Sequence, residues 1–176
     1  GEAGSFEGGK AIPFVVDTGQ GYRITDEASA FLKTVEAPVA VLAICGTHRS
    51  GKSFILNQLF LDKRGFPVGS GLSTCTKGMW IWNKTVTVQD GDESSTRFLL
   101  IDTEGFGSSE ESHDSSLLTL SLLLSSYFVY NSVGAIDEIA LRQFAFVSDV
   151  LELIASQKSD FDGRVPSNVF PSFVWL

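Results

Sequence analysis

Three uninterrupted apolar runs mark the chain: Val39–Cys45, Phe98–Ile101 and Tyr127–Tyr130. A strand with one wet face alternates apolar and polar residues, so runs without alternation predict strands covered on both faces. Shorter patterns lie between them. Ala11–Asp17 predicts a strand, and Pro13 near its start points to a sheet edge. Thr18–Gly21 is a turn signal that lets Tyr22–Ile24 pair back as a hairpin. Thr25 or Asp26 stands where a cap should be, before a helix through Phe31, Leu32 and Val35, and Pro38 closes the linker after it. Phe54–Phe60 reads as helix and Asp62–Gly71 as a glycine-rich loop. Met79–Trp82 alternates into a strand, with Thr85–Val88 its expected hairpin partner and Asp90–Ser95 an exposed tip. Phe106–Ser115, rich in Gly, Ser and acids, is expected to be a mobile loop. Leu117–Leu124 predicts a helix. Asp137–Ser156 carries apolar residues at helical spacing (Ile139, Leu141, Phe144, Phe146, Val147, Val150, Leu151, Ile154), and Phe170–Leu176 begins a last strand.

Strands alternating with helices predict an α/β domain, a mostly parallel sheet flanked by helices that binds its ligand at the carboxyl ends of the strands. The chemistry clusters at two such ends. The first run leads into Gly46-Thr47-His48-Arg49-Ser50-Gly51-Lys52-Ser53, a G-x-x-x-x-G-K-S phosphate-binding loop, followed at Phe54 by the predicted helix. This context matters because loop amides and a helix N-terminus must converge on one anion. Lys52 is placed to meet the β- and γ-phosphates, and the Ser53 hydroxyl to ligate Mg²⁺. The second run ends in Asp102-Thr103-Glu104-Gly105. An acid at that position holds Mg²⁺ in P-loop proteins, and the Gly105 N–H can bond a γ-phosphate. Thr76, between the two motifs, is a candidate third Mg²⁺ contact, with Ser73 and Thr74 as competitors. Arg49 is either a solvated loop residue or a guanidinium that reaches charge developing between the phosphates. His48 reads as a loop residue near the nucleotide and His113 as solvated; the two lack metal-ligand spacing. Asn83-Lys84 begins a guanine-reading N-K-x-D, but position 86 is Val, so that motif fails.

Composition changes this picture little. The 176 residues suffice for one sizeable core, and the formal net charge of −8 argues against broad binding to nucleic acid or an anionic membrane. Cys45 and Cys75 form no metal or redox pair, which predicts a reducing, cytoplasmic setting. No apolar run approaches the roughly 20 residues of a spanning helix. Residues 1–10 read as a flexible tail.

Together these residues resemble the large GTPases of the guanylate-binding protein and atlastin group in the dynamin superfamily. The resemblance rests on the P-loop with Arg49 at its fourth position, on Thr76-Lys77-Gly78-Met79-Trp80-Ile81-Trp82, on Asp102-Thr103-Glu104-Gly105, and on Leu123–Ser132. Lys77 and Glu104 favour the guanylate-binding side. The resemblance implies a G-domain-like P-loop fold over residues 11–176, forming the N-terminal part of a longer GTPase domain, with the remainder and a helical stalk beyond it. It implies GTP as substrate, Mg²⁺ as cofactor held by Ser53, Thr76 and Asp102, and nucleotide contacts from residues 46–54, Thr76 and Gly105. Arg49, Lys52, Thr74 and Glu104 would be catalytic: Arg49 as an internal arginine finger, Thr74 placing the attacking water and Glu104 tuning it. Homodimers or higher assemblies would form through the GTPase face. Membrane association would come only through regions outside this chain. A GTP-gated assembly module, with hydrolysis as reset, and an atlastin-like membrane-fusion GTPase are the alternatives. The family's guanine-reading segment would begin just after Leu176.

Overall fold

The computed structural model describes residues 8–68, 78–90, 94–106, 111–134 and 171–176, together with Glu138, Leu141, Arg142, Phe144, Ala145, Ser148 and Asp149. In chain order the elements are β1 (Ala11–Asp17), β2 (Tyr22–Ile24), α1 (Asp26–Leu32), β3 (Ala40–Gly46), α2 (Lys52–Phe60), β4 (Met79–Trp82), β5 (Val86–Asp90), β6 (Ser94–Thr103), α3 (Glu111–Leu124), β7 (Tyr127–Asn131) and β8 (Ser172–Trp175). The separately described residues from Glu138 to Asp149 are helical; the rest of the helix expected over 137–156 lies outside the described residues.

One mixed sheet carries the fold, in the order β2-β1-β4-β6-β3-β7-β8. Its centre, β6-β3-β7-β8, is parallel, and the β4, β1, β2 wing is antiparallel. The three apolar runs are the three adjacent central strands β6, β3 and β7; β6 is covered on both faces as its patterning requires, whereas β7 buries Phe128 and Tyr130 and leaves Tyr127 exposed. Along β6, Leu99 and Ile101 join a core with Ala43, Cys45, Phe128, Leu117 and Leu118. Phe98 and Leu100, pointing the other way, join Ile44 and Leu56. Helices α1 and α3 therefore lie over one face and α2 over the other.

Several elements depart from the pattern-based expectation. The predicted β4–β5 hairpin does not form. Instead β5 pairs antiparallel with the N-terminal half of β6, and β4 with its C-terminal end. The ten-residue β6 is long enough to carry both partners end to end along one edge. β1 is not an edge strand over its whole length, since β2 pairs with Val15–Asp17, but at Pro13 it is paired with β4 alone. The β1–β4 register shifts between Pro13 and Val15, a bulge that leaves both Phe14 and Val15 buried. Thr25 is the cap of α1: its hydroxyl accepts from Ala28 N at 3.2 Å and donates to the Pro13 carbonyl. That helix ends at Leu32, so Val35 packs from the linker. Helix α3 starts at Glu111, inside the stretch expected to be loop.

Candidate phosphate site

The site sits at the carboxyl ends of β3 and β6, where strand ends, loop and helix N-terminus meet. Gly46 ends β3 at φ 139°, a conformation side chains avoid, and an added Cβ would overlap the Asn131 backbone. Left-handed backbone at Arg49 (φ 58°) and Gly51 (φ 91°) then curls the loop. Gly51 is the N-cap of α2 and contributes no side-chain cap, so the first amides of that helix are left for an anion.

Lys52 is only 6% exposed, and its Nζ donates to the carbonyls of Thr47 (2.9 Å) and Gly46 (3.3 Å). Burial pushes its pKa below the usual lysine range, with the nearby Asp102 carboxylate pulling the other way. Across the cleft the Ser53 hydroxyl donates to Asp102 Oδ2 at 2.6 Å. Asp102 is fully buried, because β6 is an interior strand, and Thr103 fixes its end by donating to the Ile44 carbonyl at 2.9 Å. The hydroxyls of Thr47 and Ser50 are buried without a hydrogen-bond partner. Such groups destabilise a fold unless something meets them. A phosphate-bearing ligand on this loop would do so.

The turn after β6 is sewn to the loop. Phe106 N donates to the Gly46 carbonyl (3.0 Å) and His48 N to the Phe106 carbonyl (2.9 Å). Gly105 is buried there, and a Cβ would overlap the His48 backbone. Glu104 turns toward the start of β4. Its N–H donates to the Gly78 carbonyl at 2.8 Å, and its carboxylate accepts from Gly78 N at 2.9 Å.

The structure thus brings together Gly46, Thr47, His48, Ser50, Gly51, Lys52, Ser53, Asp102, Glu104 and Gly105. Arg49 is exposed on the loop, and Phe54 is exposed on the first turn of α2. Thr74, Thr76 and Cys75 lie outside the described residues. Two residues gained a place that pattern reading did not assign them. Asn131, 5% exposed at the end of β7, accepts from Thr47 N through its carbonyl (3.2 Å) and donates from its side chain to the Ser50 carbonyl (2.7 Å). Its only signal in the sequence is a polar residue closing an apolar strand. His113, expected to be solvated, is instead 18% exposed and faces Glu104.

Ser53 and Asp102 offer hard oxygen donors beside an anion-binding loop, the donor chemistry that Mg²⁺ takes in phosphate sites, so the residues fit that ion. A cavity of about 510 Å³, lined by Leu61, Arg64, Pro67 and Trp82 among others, shares no residue with this site.

A family profile described as "Guanylate-binding protein, N-terminal domain" matches residues 20–176. The chain is 37% identical over 160 residues to human guanylate-binding protein 7, covering 86% of this chain and 24% of that protein. It is 35% identical over 170 residues to human guanylate-binding protein 2 (92% and 28%) and 36% identical over 160 residues to mouse guanylate-binding protein 2 (86% and 26%). The chain spans about a quarter of the length of these relatives.

Proposed function

The chain belongs to the guanylate-binding protein family, and from that premise we propose that it binds GTP at the 46–53 loop and, in the full-length protein, hydrolyses it to GDP and phosphate. The observation that carries this reading is the Ser53–Asp102 contact beside buried Lys52 and two unpartnered loop hydroxyls. Those groups converge where a triphosphate and its metal would sit.

In this reading Lys52 exchanges two loop carbonyls for the β- and γ-phosphate oxygens, so a charge already desolvated meets the opposite charge. Amides of the loop and of the first turn of α2 hold the β-phosphate. Ser53, Thr76 and Asp102 would hold Mg²⁺, which when bound neutralises charge on the β- and γ-phosphate oxygens. Gly105 N–H bonds the γ-phosphate. A water oxygen, placed by Thr74 and tuned by Glu104, bonds to the γ-phosphorus as the bond to the β-phosphate oxygen breaks. Arg49 stabilises the charge that develops on that oxygen.

Arg49 is exposed, and its productive orientation therefore needs a covering surface. We assign that role to a second copy docking through the nucleotide face, so that binding, dimerisation and turnover are coupled. The same exposure supports the assembly-module reading, in which GTP gates association and hydrolysis resets it. The buried free Cys45 fits a reducing, cytoplasmic setting. Among the described residues no helix is long and apolar enough to cross a membrane.

Nucleotide titration and turnover in full-length protein test the proposal. Lys52→Ala should lose GTP binding. Arg49→Ala should keep binding and lose about 100-fold in turnover, within the range that arginine fingers supply. Turnover unchanged in Arg49→Ala would remove the arginine from the mechanism.

A further inference from the structure

His113 stands in the first turns of α3, between two parts of the molecule that share no chain connection nearby. Its Nε2 lies 3.4 Å from Glu104 Oε2. Its Nδ1 lies 3.0 Å from the Tyr22 hydroxyl and 3.3 Å from Asp17 Oδ2, both on the β1–β2 hairpin. Glu104 is 13% exposed on its side chain and accepts from Gly78 N, so its carboxylate is held by two groups from different elements. We infer that His113 is a positioning residue, which holds the Glu104 carboxylate on Gly78 and ties the turn after β6 to the β1–β2 hairpin. The inference rests on the hydrolase reading above.

Donor counting supports it in both charge states of the ring. Neutral imidazole has one N–H. With that proton on Nε2, His113 donates to Glu104 while Nδ1 accepts from the Tyr22 hydroxyl. Protonated imidazole adds a donor on Nδ1, which meets Asp17, and the Tyr22 hydroxyl turns to the His113 carbonyl 3.4 Å away. Glu104 keeps its N–H in both of these forms, and only the hairpin contact changes partner; a neutral ring with its proton on Nδ1 would donate to Asp17 instead. Asp17, Tyr22 and Glu104 face the ring from the hairpin and the turn after β6, with Asp114 next to it on α3; Lys52 feels Glu104 from the loop. Burial above all, then the Asp17, Glu104 and Asp114 carboxylates, push the Tyr22 phenol up, and the Ser116 hydrogen bond opposes them. The phenol therefore stays protonated as the donor this arrangement uses. Gly78, to which the carboxylate is pinned, follows Thr76 by two positions in the chain.

Three substitutions in full-length protein separate positioning from bulk packing. A Gln side chain can place its amide N–H near the Nε2 position, and Asn near the Nδ1 position. His113→Ala should lower kcat about tenfold with KM within about twofold. H113Q should recover most of the loss, and H113N should not. In a Glu104→Ala background, His113→Ala should cost nothing further, since both changes remove one interaction. The Gly78 amide resonance should shift in H113A and H113N and stay in place in H113Q. Thermal unfolding of each variant identifies any that fail to fold. Wild-type kcat in H113A, full recovery by H113N alone, or a second tenfold loss on top of Glu104→Ala would overturn the inference. A wild-type protein that turns over no GTP overturns the hydrolase reading instead, and the Gly78 resonance then still decides the placement of Glu104.

Discussion

Gly105 has no space for a methyl group, because the His48 backbone fills it. That contact joins the turn after β6 to the phosphate loop, so Gly105→Ala must push the two apart. The expected result is at least a tenfold loss of GTP affinity, about 1.4 kcal/mol, with the fold retained, measured by nucleotide titration. Asn131 does related work from the other side, through a backbone carbonyl and a side-chain amide. Cys45 is a residue-scale effect in which burial outweighs every other cause. It is fully buried, and burial pushes its thiol up to about 11 from an ordinary 9.0. The unfolded thiol therefore ionises first. Its contribution to stability is intact below pH 9 and drains away as pH rises toward 11, at most about 3 kcal/mol. Denaturant unfolding at pH 8 and pH 11 should show a smaller pH-dependent loss for Cys45→Ala than for wild type.

At the scale of elements, local sequence signals worked where one segment decides its own structure. The α1 cap, narrowed to Thr25 or Asp26, the P-loop between β3 and α2, and the three central strands were legible. Thr25 shows why: its hydroxyl serves the Ala28 N–H and the Pro13 carbonyl at once. Thr25→Ala should cost about 1–2 kcal/mol in urea unfolding, the range for lost N-caps, and leave GTP affinity unchanged. Pairing between elements was less legible. Two strand-like segments close in sequence, Met79–Trp82 and Thr85–Val88, suggested a hairpin, yet β5 pairs with the longer β6, where Val86 lies opposite Phe98. Pro13 marked a position paired on one side only, and the later β2 pairing over Val15–Asp17 is what makes β1 an interior strand. Solvation of His113 was inferred from its polar neighbours, whereas its partners Asp17 and Tyr22 lie more than 90 positions away in the chain.

For the whole molecule, the sheet places the described residues of the proposed phosphate site at one end. An exposed Arg49 on that end leads to a prediction about assembly. Sedimentation of full-length protein should show a doubling of mass with GTP or a non-hydrolysable analogue and none without nucleotide; a monomer under all conditions would remove the dimer from the mechanism. The amino-acid sequence by itself determined the α/β class, the phosphate loop, the acid at the end of β6 and the family, because these depend on residue type at short, unbroken spacing. Only the tertiary structure decided that Ser53 meets Asp102, that Asn131 props the loop, that Gly105 abuts His48, and that His113 reaches from α3 to Glu104 and the hairpin. These contacts join residues tens of positions apart, and chain spacing carries no record of which distant strand end or helix turn will arrive beside which. Burial then sets their chemistry: it desolvates Lys52 and Asp102 and leaves the Thr47 and Ser50 hydroxyls without a hydrogen-bond partner.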